Sequence, residues 1–423
     1  MAPSAKSAAK SAAKKSSGSP LCVPLPELLP LAGVRLGAAA AGIRYQGRTD
    51  LVMVELAAGT TVAGVFTRNK CPGAPVDWNR AALKKGRKAR AVVINAGNAN
   101  VFTGKIGAAA TRTTAEAAAE LVGCKPREVM LASTGVIGEV MAVDKLVAAL
   151  PALHGALAED SWEAAARGIL TTDTFPKGAV RKASIGGVEV TLQGFCKGSG
   201  MIAPDMATML CFVFTDAKIP PEALQAALAK GVDTSFNCTT VDSDTSTSDT
   251  VLLFATGQAK HPRVPAEGGA MLRGFRAALS DLLADLAQQV ARDGEGARHF
   301  IRIDVTGAAS NGSARRVAKV VAESPLVKTA VAGEDANWGR IVAAVGRAGE
   351  PADRDTLSIA IGGVWMARNG TVVDGYDEAP VAQHMKGHEI HIEIDLGLGR
   401  GKATVWTCDL THGYIDINAD YRS

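Results

Sequence analysis

Residues 197–210 read KGSGMIAPDMATML, and this stretch concentrates groups that could do chemistry. A lysine sits in a glycine-rich turn. An apolar step and Pro204 follow, and Ala207-Thr208 stands directly ahead of the strand-like run MLCFVF. An ordinary threonine hydroxyl is a poor nucleophile. A threonine that begins a chain carries its own base, because an α-amine titrates at about 7.7–8.0. Self-cleavage between Ala207 and Thr208 would turn an inert residue into a catalyst. Taken alone, the same letters also describe a glycine-rich loop entering a strand, with Thr208 a β-branched filler.

The segment does not stand alone. AGVFT (63–67), NAGNAN (95–100), ASTGVIG (132–138), TTDT (171–174), DGEGA (293–297), EDANWGR (334–340) and the ending INADYRS (417–423) surround it. In this order they resemble the ornithine acetyltransferase family of arginine biosynthesis, whose members split at this Ala-Thr bond. The resemblance runs from about residue 25 to Ser423. It implies an α+β fold of stacked sheets sandwiched between helix layers (αββα). It divides the chain into a basic tail (1–20), an α chain (21–207) and a β chain (208–423). Two of each would assemble as a heterotetramer.

The implied reaction moves acetyl from N2-acetylornithine to glutamate, giving ornithine and N-acetylglutamate. Thr208 would first attack the Ala207 carbonyl, an N-to-O acyl shift resolved by water. Its freed amine would then assist the same hydroxyl in forming an acetyl-enzyme. Acetyl-CoA is a possible second donor, because it yields the same ester; no bound cofactor is expected. An N-terminal-nucleophile aminopeptidase or amidase of similar fold, which passes the acyl group to water, is the alternative.

Developing negative charge on the carbonyl oxygen needs donors. The resemblance assigns that role to Thr134 and Gly135, which could otherwise form an ordinary turn after the apolar run Val129–Ala132. It assigns substrate contacts to Thr171, Lys197, Thr208, Glu295, Asn418 and Ser423. Each has a plainer reading: a helix cap, a solvated loop lysine, an exposed residue of a helix-ending turn, or chain terminus. Ser423 departs from the threonine that ends many relatives but keeps the hydroxyl.

The elements that must position these residues are legible in part. LVMVEL (51–56), ARAVVINA (89–96) and VEVTLQGFCKG (188–198) read as strands. Residues 108–122 read as an alanine-rich helix stopped by Gly123, and Pro221 opens another. Phe275, Leu279, Leu282, Leu283, Leu286 and Val290 recur at helical spacing. Ile390, Ile392, Ile394 and Leu396 alternate with Glu389, His391, Glu393 and Asp395, predicting a strand; Gly397, Gly399 and Gly401 predict a hairpin turn after it.

At 423 residues and 47% hydrophobic content, the chain can bury a large core. A net charge of +4 over that length argues against a nucleic-acid partner or an anionic membrane surface. Seven scattered cysteines suit a reducing compartment. Residues 1–19 hold only small, polar and lysine-rich sequence and predict a solvated tail. A cytoplasmic location follows, with a mitochondrial matrix address as the minor alternative, because the tail lacks the arginine of a transit peptide. KGSG is not a phosphate-binding loop, His388-Glu389 with His391 misses the HExxH spacing, and VDSDTSTSD (241–249) lacks a calcium-loop pattern. No metal is expected; that last segment reads as a polar loop or substrate-side turn.

Overall fold

The computed structural model describes residues 18–203 and 209–419. Three sheets organise it. The first has the order β1 (Val34–Ala39), β2 (Leu51–Leu56), β4 (Ala91–Asn98), β5 (Val129–Val136). The second runs β3 (Thr61–Phe66), β9 (Thr250–Ala255), β8 (Leu210–Thr215), β7 (Val188–Lys197), β6 (Lys177–Ile185). The third runs β13 (Thr371–Val372), β12 (Val364–Arg368), β11 (Ser358–Ile361), β14 (Glu389–Asp395), β10 (Phe300–Ala308), β15 (Gly401–Cys408).

The helices in chain order are α1 (Ala74–Lys85), α2 (Gly104–Val122), α3 (Val143–Gly155), α4 (Trp162–Gly168), α5 (Pro221–Asp233) and α6 (Arg273–Arg292). Then follow α7 (Asn311–Ala322), α8 (Pro325–Ala332), α9 (Trp338–Gly346), α10 (Ala379–Met385) and α11 (His412–Asn418).

Strand alternation explains the layering. In β8, Leu210, Phe212 and Phe214 point to one side and meet Val52, Val54 and Ile94 of the first sheet. Cys211 and Val213 point to the other side, into the core shared with Leu224 and Leu228 of α5 and Leu279 and Leu283 of α6. The outer face of the first sheet carries α2 and α3, with Met53, Val93 and Leu131 against Ala115, Ala118, Leu146 and Leu150. The order is helix, sheet, sheet, helix, as the family resemblance implies. Trp162 of α4 stands edge-on to Phe214 at 5.4 Å between the sheets. Each fully buried Phe or Leu of this kind contributes about 1.5–3 kcal/mol.

The predicted helix faces hold. Gly123 closes α2 at φ 67°, and the six apolar residues named in α6 are all buried. The core continues from α6 to the third sheet, where Ile301, Ile303, Ile392 and Val405 pack against Val317 and Val321 of α7.

Two expectations need correction. β14 and β15 do not form a hairpin, because β10 lies between them, parallel to β14 and antiparallel to β15. The glycine segment after β14 therefore carries the chain across β10, with Leu398 and Gly399 N–H groups donating to the Gly307 carbonyl. Thr134 and Gly135 are not in a turn after a strand; they lie within β5 itself, just before its last residue, Val136. Contacts with the body also begin within the segment expected to be tail: Ser19 N–H donates to Thr174 Oγ1 at 3.1 Å, and its hydroxyl donates to the Arg292 carbonyl at 2.9 Å.

Candidate active site

A cavity of about 230 Å³ opens where the first two sheets meet the loop after α4 and the end of α11. Its lining includes Thr134, Gly135, Thr171, Lys197, Glu295 and Asn418, so six of the expected site residues, spread over 284 positions (418 − 134), converge on one space. Ala207, Thr208 and Ser423 lie outside the described residues. Ahead of the expected cleavage bond, Gly200 and Met201 line the cavity; after it, buried Met209 leads into β8.

The wall at Thr134 is built by a break in the ladder. β4 and β5 are parallel partners up to Gly97 and Gly135; the register then shifts, and Asn98 pairs with both Thr134 and Val136. A bulge of this kind at a strand end re-aims the chain. Gly135 sits at φ 128°, and a Cβ there would fall 2.2 Å from the Gly97 carbonyl carbon. Only glycine fits this close approach. The asparagines of NAGNAN hold the bend: Asn95 accepts from the Ser133 hydroxyl at 2.6 Å and donates to the Asn98 carbonyl at 2.8 Å.

Lys197 is 7% exposed and is no solvated loop lysine. Its ammonium donates to Thr134 Oγ1 at 3.4 Å and lies 3.7 Å from Asp173 Oδ2. Because the lysine occupies a lone pair on Thr134, the hydroxyl proton is left to point elsewhere.

Behind Lys197 lies a buried charge lattice. Lys177, fully buried, donates to Asp173 at 2.8 Å and to Asp293 at 2.5 Å. Asp173 also accepts the backbone N–H of Gly198 at 2.6 Å and of Thr171 at 3.1 Å. Burial opposes its charge, but Lys177 and Lys197 outweigh burial and hold its carboxyl well below the usual range. Asp293, buried beside Asp173, is pushed up instead. One acid thus fixes three pieces of the site: the Thr171 loop, the Gly198 turn and the Lys197 ammonium.

Glu295 forms the opposite wall and is also 7% exposed. It accepts from Asn418 Nδ2 at 2.6 Å, while its own N–H donates to the Ser199 carbonyl at 2.9 Å. Burial pushes its carboxyl above the ordinary glutamate range. Gly200 packs against it so closely that a Cβ would sit 2.4 Å from Cδ. Thr172, Ser246, Thr247 and Ser248 add hydroxyl-bearing residues to the lining, and Thr247 Oγ1 is buried without a partner. The cavity therefore sets a cation beside a hydroxyl on one wall and a carboxylate with an amide on the other. That arrangement suits a zwitterionic amino acid.

Several contributors were not singled out from the sequence. Asp173 and Asp293 stood inside quoted motifs, but nothing in their spacing signals a shared lysine. The 241–249 segment, read as a polar loop or substrate-side turn, is a loop between the one-turn helix Phe236–Cys238 and β9 in which the cavity-lining residues stand at its end. Ser246–Ser248 line the cavity, and Asp242 accepts the N–H groups of Met201 at 2.6 Å and Ile202 at 2.8 Å. The hydroxyl-rich composition was the available signal. Among the described residues, no group of three His, Cys, Asp or Glu side chains is arranged to hold a metal ion. No described helix is long and apolar enough to cross a membrane.

The layered fold carries, where its first two sheets meet, a polar cavity with a lysine on one wall and a carboxyl on the other, an architecture suited to an enzyme that acts on a small charged molecule. The ArgJ family model matches residues 35–423, and the chain belongs to the ArgJ family, the acyltransferases of arginine biosynthesis. It is similar to the arginine biosynthesis bifunctional protein ArgJ of Gluconobacter oxydans, 61% identical over 414 residues, covering 98% of this chain and 97% of that protein. Among solved structures it is similar to the arginine biosynthesis bifunctional protein of Bacillus halodurans, at 42% identity and a TM-score of 0.48, covering 50% of this chain and 99% of that one. It is also similar to the ornithine acetyltransferase of Mycobacterium tuberculosis complexed with ornithine, at 36% identity and a TM-score of 0.36, covering 42% and 93%.

Proposed function

We propose that this enzyme moves acetyl from N2-acetylornithine to glutamate through an acetyl ester on Thr208, after splitting its own chain at Ala207-Thr208. The observation that carries the reading is the convergence of Thr134, Gly135, Thr171, Lys197, Glu295 and Asn418 on one cavity that Gly200 and Met201 also line. Thr208 Oγ forms a bond to the acetyl carbon while its α-amine takes the hydroxyl proton. The carbonyl oxygen becomes an oxyanion facing the Thr134 hydroxyl and the Gly135 N–H. The carbon–nitrogen bond of the substrate then breaks, and ornithine leaves with the proton. Glutamate's amine attacks the ester in the same way and regenerates Thr208. Lys197 serves the substrate carboxylate, and Glu295 with Asn418 serves an ammonium or amine.

Acetyl-CoA as a second donor follows from the same ester and is part of the proposal, as are an assembly of two α and two β chains and a cytoplasmic location. The amidase alternative differs only in the acceptor.

The test is a denaturing gel with intact mass. The purified protein should give fragments 1–207 and 208–423, and Thr208→Ala should give one uncut, inactive chain. Fragments of the wild type should convert acetylornithine and glutamate to ornithine and acetylglutamate, whereas hydrolysis without transfer to glutamate would favour the amidase. Thiol release from acetyl-CoA and glutamate, absent acetylornithine, tests the second donor. Full activity from an unbroken chain would overturn the mechanism.

A further inference from the structure

A second cavity, of about 690 Å³, lies at the far end of the second sheet, and nothing above uses it. The active-site cavity takes part of its lining from Ser246–Ser248, just before β9. The second cavity is lined by Ala255, the last residue of β9, and by the loops that follow β8 and β9. Strand β9 has six residues and spans about 20 Å, so the two cavities are separate.

The two loops are locked together. The Ala259 N–H donates to the Asp216 carbonyl at 2.8 Å, and the Gly257 N–H donates to the Ala217 carbonyl at 3.1 Å. His261 closes the joint. Its Nε2 accepts the Lys218 N–H at 2.8 Å, which leaves the ring proton on Nδ1, donated to the Pro262 carbonyl at 2.8 Å. Thr61 of β3 ties in the same wall, its hydroxyl donating to the Ile219 carbonyl at 3.0 Å. The concavity is therefore formed before any ligand arrives, and little ordering is left to oppose binding.

The charge around it is one-sided. Lys218 and Arg263, one on each loop, line the cavity, and no carboxylate does. Among the described residues, neither of the two forms an ion pair. Asp216, the acid of these loops, is turned to β7, where its Oδ1 accepts the Thr191 N–H at 2.9 Å. The basic run KKGRK (84–88) adds to the field at the rim: Arg87 donates to the Pro221 carbonyl at 3.4 Å, and Lys88 is bridged to the lining residue Thr61. The wall between the cations is apolar, with Ile219, Pro220 and Val264.

That combination selects a ligand. Cations without counter-charges around a hollow concentrate anions and reward them with charge-assisted hydrogen bonds. A phosphate ester carries about two negative charges at neutral pH and three strong acceptor oxygens, which matches one lysine and one arginine. Several hundred Å³ with an apolar wall suits an organic molecule better than a bare ion. We propose that this cavity is a binding site for a phosphorylated small molecule, its phosphates held between Lys218 and Arg263 and its organic body against Ile219, Pro220 and Val264. The site stands apart from the acetyl-transfer reading, because the two cavities share no lining residue.

The probes are inorganic pyrophosphate and ADP, titrated into the full-length enzyme at low salt with calorimetric detection. Both should bind, ADP more tightly than pyrophosphate, and both should weaken as salt is raised. Lys218 and Arg263 are exposed, so Lys218→Ala with Arg263→Ala should keep the wild-type melting temperature and turnover while losing at least about tenfold in affinity for each probe. Lys218→Arg, which keeps the charge, should retain most of the affinity. Binding of neither probe at millimolar concentration would overturn the site. Equal affinity in the wild type and the double variant would place the phosphates elsewhere and overturn it as well. Pyrophosphate bound as tightly as ADP would overturn the role of the apolar wall.

Discussion

The Lys197 ammonium donates to Thr134 Oγ1 across 3.4 Å, joining the end of β7 to the end of β5 in a place where both side chains are nearly shut off from solvent. The two residues lie 63 positions apart. The contact sets the hydroxyl's orientation and brings a positive charge to the atom proposed to face the oxyanion, so it bears on turnover more than on substrate affinity.

Thr134→Ala should therefore lower kcat by roughly a hundredfold or more with a small change in KM. Splitting of the chain should slow as well, since it passes through a similar tetrahedral species. Thr134→Ser keeps the hydroxyl and should retain most of the activity. Steady-state kinetics on both variants checks this; an alanine variant with unchanged kcat would take Thr134 out of the mechanism.

The bend that holds Thr134 makes a second prediction. Gly135 has a positive φ, and a side chain there meets the Gly97 backbone at 2.2 Å. Gly135→Ala should displace the β4–β5 junction, lower the melting temperature and block both splitting and turnover. Gly349, also at positive φ but with open space around its Cβ position, is the control. Gly349→Ala should cost on the order of 1 kcal/mol and leave activity intact.

The layers were legible in the sequence because they rest on local periodicity. The strand-like apolar run 209–214 and the helical spacing in 275–290 are written into neighbouring residues, and both proved to be buried elements. The supposed β14–β15 hairpin was misread for the opposite reason. Glycines can mark a turn, but they do not reveal that β10, which ends 81 positions before β14 begins (389 − 308), occupies the place between the strands. Six cavity-lining residues were named by resemblance. The plainer readings of Lys197 and Glu295 failed on burial, since both are surface residue types that become buried through partners distant in sequence. Asp173 with Asp293, joined through Lys177, was invisible for the same reason: a shared cation is a three-dimensional fact.

That lattice yields a stability prediction. Lys177 is fully buried between two carboxyls, and removing it takes the near cation from Asp293 and leaves Asp173 with only the Lys197 ammonium at 3.7 Å. Lys177→Met should cost about 3–5 kcal/mol, read from denaturant unfolding. Asp173 has a folded-state affinity for protons below the unfolded one, so its contribution is complete above the unfolded carboxylate range and is lost as pH falls through the lower folded value. The wild type should therefore lose stability in acid, and Lys177→Met should lose less from the Asp173 contribution over the same range. An equally steep acid limb in both would mean that Lys177 is not the cause.

Glu295 predicts a pH effect on binding. Its carboxyl is raised by burial, so it protonates at a higher pH than an ordinary glutamate as the solution is acidified. If its charge holds a substrate ammonium, KM for acetylornithine or ornithine should rise on acidification, beginning above the usual glutamate range. Glu295→Gln should have a high KM throughout and no such inflection. The same inflection in the glutamine variant would assign the titration to another group.

The N-terminal boundary supplies the last prediction. Composition sets the solvated tail at residues 1–19, but Ser19 already hydrogen-bonds the Arg292 carbonyl and Thr174 Oγ1, and Leu21 is 5% exposed within the main core. Thr174 in turn donates to Asp293, an acid of the buried lattice, through both its N–H and its hydroxyl. Deleting residues 2–17 should leave splitting, assembly and kcat unchanged. Extending the deletion through Leu21 removes the Ser19 anchor and one buried leucine, the latter worth about 1.5–3 kcal/mol. It also frees the strap that leads from the tail to Thr174, so the melting temperature should fall and kcat should fall with it. Thermal unfolding and steady-state kinetics on the two truncations decide the matter: equal behaviour would show that the Ser19 and Leu21 contacts carry no weight, and failure of the shorter deletion would show that residues before Gly18 take part in the fold.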